Sequence, residues 1–218
     1  MLYRDRNHAG RVLAKELQGY AGRPDVLVLG LPRGGVPVAY EVARALGVPM
    51  DVFIVRKLGA PGQPELAVGA IASGGVRVLN SDIVRVLGIS ERQIEELTAH
   101  EQQEIEKRER LYRGDRPPIA VSGLTVILVD DGLATGSTMR AAAAALRHAN
   151  PAKIVVAVPL AAEATCEVIA AEVDQVVCAA TPAPFYAVGQ WYEQFTQTTD
   201  EEVRELLASA NQPPAAVS

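Results

Sequence analysis

Short runs of aliphatic and β-branched residues alternate along this chain with segments whose apolar positions recur every three or four residues. Ala9, Val12, Leu13 and Leu17 have helical spacing and predict an amino-terminal helix over residues 5–20. Val26-Leu27-Val28-Leu29 predicts a first strand, Val36 to Leu46 a helix, and Asp51 to Arg56 a second strand. Residues 57–66 carry Gly59, Pro61, Gly62 and Pro64 and predict a loop. Further strands are expected over Ala67 to Ala72, Val76 to Leu79, Val126 to Val129, Lys153 to Pro159 and Gln175 to Ala179. Helices are expected over Met139 to Leu146 and Ala162 to Ala171. The central runs lack polar alternation, as expected of parallel strands covered on both faces. The predicted fold class is therefore α/β, a right-handed parallel sheet flanked by helices. On such sheets ligands sit at the carboxyl ends of the strands.

Two segments depart from that rhythm. Residues 81–114 form an insertion around a strongly charged helix, Ser90 to Arg113, with Ser90 and Gln93 as a capping box. Glu104–Arg108, Glu106–Arg110 and Glu109–Arg113 have the favourable i,i+4 order, and Ile94, Leu97, Ile105 and Leu111 form a thin apolar stripe. This reads as a solvated helix with one edge on the body. Near the carboxyl end, residues 181–196 concentrate aromatic side chains, including the chain's only tryptophan, Trp191. Residues 1–208 read as one domain and 209–218 as a frayed tail.

Composition narrows the function. The chain has 218 residues, 49% hydrophobic and 22% charged, which supports a sizeable core. A net charge of −5 and the absence of a basic stripe argue against a nucleic-acid surface. No apolar run approaches a membrane span, and the start Met1-Leu2-Tyr3-Arg4-Asp5-Arg6 is unlike a signal peptide. Cys166 and Cys178 are the only cysteines and are expected as buried small residues in a reducing cytosol, not as a disulfide or a zinc site. His8, His100 and His148 lie at no metal or triad spacing.

Candidate chemistry concentrates in Val126-Ile127-Leu128-Val129-Asp130-Asp131-Gly132-Leu133-Ala134-Thr135-Gly136-Ser137-Thr138. A buried strand ends here and a helix begins, so free backbone N–H groups and the helix dipole favour an anion. Thr135, Ser137 and Thr138 add hydroxyl donors. Asp130 and Asp131 repel phosphate but suit sugar hydroxyls or a metal ion. A phosphate cradle beside diol acceptors describes a phosphorylated ribose site. A Walker A loop would need a lysine after Gly136, and a dinucleotide fingerprint would need glycine where Ala134 stands.

Over all of residues 126–138 this segment resembles the phosphoribosyl pyrophosphate (PRPP) signature of the type I phosphoribosyltransferases. The resemblance implies a type I phosphoribosyltransferase-like fold with a small carboxyl-terminal hood, magnesium as cofactor, and a cytoplasmic homo-oligomer, a dimer. It implies PRPP contacts from Asp130, Asp131, Ala134, Thr135, Gly136, Ser137 and Thr138. In that family the loop after the first strand binds pyrophosphate, often through an unusual cis peptide; here this is Arg33-Gly34-Gly35. Arg56 and Lys57 would neutralise the leaving group, and residues 57–66 would act as a mobile lid with Glu65 as its acid or base. Phe185, Tyr186 and Trp191 would stack on the base. Asp131, Lys57 and Glu65 are thus the catalytic candidates, with Asp130 and Asp131 reaching magnesium indirectly through PRPP and water.

Two departures bear on the acceptor. Hypoxanthine–guanine enzymes have an aspartate where Ala134 stands, and a lysine after the strand equivalent to 153–159, where this chain has Pro159-Leu160-Ala161-Ala162. The resemblance thus gives a transferase acting on a nucleobase or related nitrogen heterocycle, acceptor unnamed. A PRPP-sensing, nucleic-acid-binding regulator and a PRPP hydrolase are the alternatives.

Overall fold

The computed structural model describes residues 1–211, with Pro64 and Glu65 described in their backbone alone. Five parallel strands form the central sheet: β1 (Val26–Gly30), β2 (Met50–Val52), β6 (Thr125–Val129), β7 (Lys153–Val158) and β8 (Gln175–Cys178), in the order β2-β1-β6-β7-β8. Every residue of β1 and β6 is buried, which explains their uninterrupted apolar sequence. Alternate residues serve opposite faces. Val26, Val28, Ile127, Val129, Val155 and Ala157 pack against α1 (Arg6–Glu16), α2 (Gly35–Leu46) and α7 (Asp200–Ala210). Leu27, Leu29, Val126, Leu128, Ile154 and Val156 pack against α5 (Ser137–Arg147) and α6 (Glu163–Ala170). Each buried Val or Leu here stabilises the fold by roughly 1.5–3 kcal/mol. Sequence pattern and structure agree on a parallel α/β sheet flanked by helices.

A second, antiparallel sheet joins β3 (Val55–Ala60), β4 (Gln63–Ala72) and β5 (Val76–Leu79) in that order. It corrects two expectations. The strand expected over 51–56 breaks at Phe53-Ile54: β2 stays in the parallel sheet, while β3 leaves it for the second sheet. The loop expected over 57–66 is a hairpin whose strands pair up to Ala60↔Gln63, turning on Pro61-Gly62 with Gly62 at φ 75°. Pro followed by Gly at positive φ suits a tight turn, so the residues read as loop punctuation are the turn of a hairpin. Phe53 and Ile54 N–H donate to Gly30 O (3.1 Å) and Ser73 Oγ (3.0 Å), fixing the crossover between sheets.

The insertion holds α3 (Ser81–Val86) and α4 (Glu91–Arg113), the latter with the expected Ser90/Gln93 capping box. Ile94 and Ile105 are buried as expected, but Tyr112 takes the place foreseen for Leu111, which is exposed. Arg113 is buried and donates to both Asp51 carboxylate oxygens (2.9 and 3.0 Å) and to Val52 O (2.8 Å). This pair anchors α4 to the rim of the parallel sheet, more than a solvated helix would require. The cysteine expectation is overturned: Cys166 in α6 and Cys178 at the end of β8 form a disulfide, because their Cα atoms lie 6.8 Å apart across the helix–sheet contact. Residues 212–218 of the expected tail lie outside the described residues. No described helix is long and apolar enough to cross a membrane.

Candidate functional site

The loops after β1, β6 and β7 are knitted together at the carboxyl edge of the sheet. Leu31 N–H donates to Val129 O (2.9 Å), Leu133 N–H to Leu160 O (3.0 Å) and Ala162 N–H to Leu133 O (3.1 Å). The helices that follow these loops, α2, α5 and α6, begin at Gly34, Gly136 and Ala162, none of which gives a side-chain cap. Elsewhere Asp5, Asn80, Ser90 and Thr199 cap α1, α3, α4 and α7. Each start carries about half a positive charge. In α2 the Gly35 and Val36 N–H groups bond to Leu31 O and Arg33 O and Pro37 has no N–H, so α2 offers its dipole rather than free donors. Among the described residues, the N–H groups of 135–138 have no backbone acceptor. Gly136 supplies the positive φ (68°) that turns the chain into α5, and a Cβ there would meet Thr165 Cγ2 at 2.7 Å. Thr165, in the first turn of α6, donates its hydroxyl to Ala134 O (2.6 Å) and pins the loop. Such a rim binds anions.

The acidic pair faces the same rim. Asp130 Oδ1 accepts from the Asp131 N–H (2.9 Å), so the loop backbone orients the first carboxylate. Gly34 and Gly35 lie against the pair: a Cβ on Gly34 would sit 2.1 Å from Asp131 Oδ2, and one on Gly35 2.9 Å from Asp130 Cα. These glycines are therefore required by close approach of two loops. Asp131 Oδ2 accepts from Arg6 Nε at 2.8 Å. Tyr192 donates its hydroxyl to Asp131 O (2.6 Å). Burial pushes the Asp130 carboxyl well up from its ordinary range, and the Asp131 charge beside it adds to the shift. Burial also raises Asp131, against the downward pull of Arg6. The Tyr192 hydroxyl is raised by burial too, with the Asp131 charge adding, so it stays a donor.

The other predicted residues divide. Arg33 follows a cis Pro32-Arg33 peptide and lies beside Gly34 at the start of α2, with Nη1 3.8 Å from Asp200 Oδ1. Arg56 and Lys57 are adjacent on β3 and so point to opposite faces. Arg56 donates to Glu101 of α4 (2.6 Å), which removes it from the rim. Lys57 instead lines an open cleft of about 820 Å³ with Ser137 and Arg140 of α5 and with Asn80. The Glu65 side chain lies outside the described residues. Phe185 and Trp191 pack on each other, ring centroids 6.5 Å apart, around buried Leu160 and Tyr192, while Tyr186 is exposed. The Trp191 Nε1–H is buried without a partner among the described residues.

Arg6, Thr165 and Tyr192 were not foreseen. Thr165 and Tyr192 lie within predicted segments but act through single hydroxyls, and Arg6 opens a helix far from the motif in sequence. The described residues hold no group of three side chains that would enclose a metal ion. Two carboxylates beside an anion rim fit a magnesium ion held mainly by ligand oxygens and water.

The model of the phosphoribosyl transferase domain matches residues 3–186 of this chain. Proteins of two Mycobacterium tuberculosis strains, provisionally named phosphoribosyl transferases, are 47% identical over 210 residues, 96% of this chain. The chain spans about half the length of those proteins, 47%. The crystal structure of TT1426 from Thermus thermophilus is similar with a TM-score of 0.85 and 44% identity, covering 96% of this chain and 99% of that one.

Proposed function

The chain belongs to the phosphoribosyl transferase domain family, and from that premise we propose that it transfers the phosphoribosyl group of PRPP to a ring nitrogen of a nucleobase or related heterocycle. The observation that carries this reading is the pairing, on one rim, of uncapped helix starts with two carboxylates that a phosphate alone would repel. In this reading the N–H groups and hydroxyls of 134–138 hold the 5-phosphate. Asp130 and Asp131 accept hydrogen bonds from the ribose hydroxyls. The Arg33-Gly34-Gly35 turn, at the start of α2, and Lys57 receive the pyrophosphate.

The acceptor nitrogen forms a bond to the anomeric carbon as the bond to pyrophosphate breaks. The electron pair leaves with the pyrophosphate, and the acceptor's N–H proton passes to solvent. Positive charge develops on the ribose ring in between, and the fixed carboxylates of Asp130 and Asp131 stabilise it, while the helix starts hold the phosphate groups without reorganising. Magnesium, reached by Asp130 and Asp131 through PRPP and water, would supply charge neutralisation of the diphosphate. Tyr186 is the exposed candidate for stacking on the base, above the packed Phe185 and Trp191. Glu65 remains the proposed acid or base of the hairpin. Ala134 and Leu160-Ala161 provide neither the aspartate nor the lysine of the hypoxanthine–guanine enzymes.

We extend the proposal to a homodimer in the cytoplasm, the setting of PRPP chemistry. Light scattering tests the first; the Cys166–Cys178 bond is unusual for the second, since such bonds favour oxidising compartments. The function is tested by incubating the protein with PRPP, magnesium and a panel of purines, pyrimidines and pyridine carboxylates, then assaying new nucleotides. Asp131→Asn and Gly136→Val should each abolish PRPP binding while leaving a folded chain. Unchanged calorimetric affinity in both would remove the reading. PRPP-dependent nucleic-acid binding without turnover would favour the regulator, and pyrophosphate release that no base accelerates would favour a hydrolase.

A further inference from the structure

Arg6 is a cation at the rim, bonded directly to Asp131, with no role in the transfer described above. Its guanidinium bonds Asp131 Oδ2 through Nε (2.8 Å) and Thr196 O through Nη1 (2.6 Å). Its guanidinium carbon lies over the Phe195 ring, 4.0 Å from the centroid. Its side chain is 12% exposed and that of Asp131 15%, so the pair is shielded from solvent and screening. A surface ion pair in this fold, such as Arg85–Asp82 at 77% and 80% exposure, has neither constraint.

Arg6 is also held from behind. Asp5 caps α1 through the His8 N–H (2.7 Å), and Gly10 lets α1 lie close on α2, where a Cβ would meet Val38 O at 2.7 Å. The residues before α1 are stitched to the hood segment. Tyr3 N–H donates to Trp191 O (3.0 Å), Glu193 N–H to Tyr3 O (2.9 Å) and Gln194 N–H to Arg4 O (2.8 Å). Residues 2–4 and the hood segment 191–194 thus carry Arg6 to Asp131 as one unit.

Oδ2 of Asp131 is enclosed by Arg6 on one side and the Gly34 backbone on the other. A carboxylate has about four acceptor positions, so the bond to Arg6 still leaves Oδ1 for another donor. We propose that Arg6 is a positioning residue: clamped between the hood and Asp131, it turns that carboxylate so that Oδ1 presents to the vicinal hydroxyls of the bound ribose. This rests on the phosphoribosyl reading above. The hood then senses and shapes the sugar end of the site through Arg6.

The position makes a ligand-specific prediction. Arg6 touches the group that would read the diol, and none that would read the phosphate. Calorimetry should therefore compare ribose 5-phosphate with 2-deoxyribose 5-phosphate, in the wild-type protein and in Arg6→Gln, Arg6→Lys and Phe195→Leu. The wild-type protein should prefer the ribose ester. In Arg6→Gln, affinity for the ribose ester should fall about tenfold or more, the loss expected of one charge-assisted hydrogen-bond partner. Affinity for the deoxy ester should change little, so the preference collapses. Arg6→Lys, which keeps a cation near Asp131 but cannot bond both partners in the same geometry, should recover part of it. Phe195→Leu should weaken the preference without touching Asp131, and it keeps the test open if Arg6→Gln folds poorly. Equal weakening of both esters in Arg6→Gln and Phe195→Leu would reduce Arg6 to a structural contact and overturn the proposal, as would no effect in either. A wild-type protein that binds neither ester would instead fail the phosphoribosyl reading, and the proposal with it.

Discussion

Asp130 is kept at a cost to stability. Its carboxyl is half-buried and raised well above the ordinary range, first by burial and then by the charge of Asp131. A carboxyl whose folded pKa exceeds its unfolded value, about 3.9, binds its proton more tightly in the folded state. Its contribution to stability is therefore full below the unfolded pKa and is lost as pH rises through the folded pKa. Asp130→Asn keeps an Oδ1 acceptor for the Asp131 N–H and removes the charge. It should raise Tm at pH 7, by about 2–4 °C per kcal/mol relieved, and show little advantage near pH 4. PRPP affinity should fall at pH 7, where the amide has fewer acceptors than the carboxylate, and change little near pH 4, where the wild-type carboxyl is itself protonated. Scanning calorimetry at the two pH values checks the first part; an equal Tm gain at both would refute the charge explanation. Asp130, Asp131 and the glycines were legible because strand, acidic pair and small-residue turn are contiguous. Arg6 was not, because its meaning depends on a partner 125 residues away.

At the level of elements, period and burial explain what could be read. β1 and, after Thr125, β6 are apolar throughout because both faces are covered, and α5 and α2 follow at helical spacing. The hairpin was hidden because Pro61-Gly62 marks a turn and a loop equally well. It also hid that Arg56 and Lys57 are neighbours on β3 and face opposite sides, Arg56 toward Glu101 and Lys57 toward the cleft with Ser137. The disulfide was hidden for another reason. Two cysteines separated by 12 positions carry no distance information, and only the packing of α6 on β8 brings their Cα atoms to 6.8 Å. Closing so short a loop stabilises the folded state by about 3 kcal/mol in the chain-entropy account. Reduction, or the Cys166→Ala/Cys178→Ala pair, should lower Tm by about 6–12 °C. The same change frees the end of β8 from α6, whose Thr165 holds the Ala134 carbonyl. A Tm unchanged by reductant would show that the bond does not contribute to the folded state in solution.

Across the whole molecule, segments far apart in sequence close the site. Residues 2–4 pair with 191–194, and Tyr3 is the pin: 5% exposed, its hydroxyl donates to Pro159 O (2.7 Å) and its ring meets Tyr192 at 5.6 Å. Pro159 directly follows β7, so one side chain joins residues 2–4, the hood and the carboxyl edge of the sheet. Such closure is invisible to local pattern, since Met1-Leu2-Tyr3 has neither periodicity nor motif. Tyr3→Ala should cost about 3–5 kcal/mol, as truncation of a buried aromatic does, and Tyr3→Phe about 1 kcal/mol for the lost hydrogen bond. The parallel sheet does not depend on Tyr3, so in Tyr3→Ala the sheet should unfold at a lower Tm in a step separate from the hood. The hood should loosen first, and Trp191 reports it as the chain's only tryptophan. In Tyr3→Ala its emission should move to longer wavelength at temperatures where the sheet is intact by circular dichroism. Preference for ribose over deoxyribose 5-phosphate should fall in parallel, because Arg6 is held by the same closure. A lower Tm with unchanged Trp191 emission and unchanged ribose preference would mean that the amino terminus stabilises the fold without shaping the site.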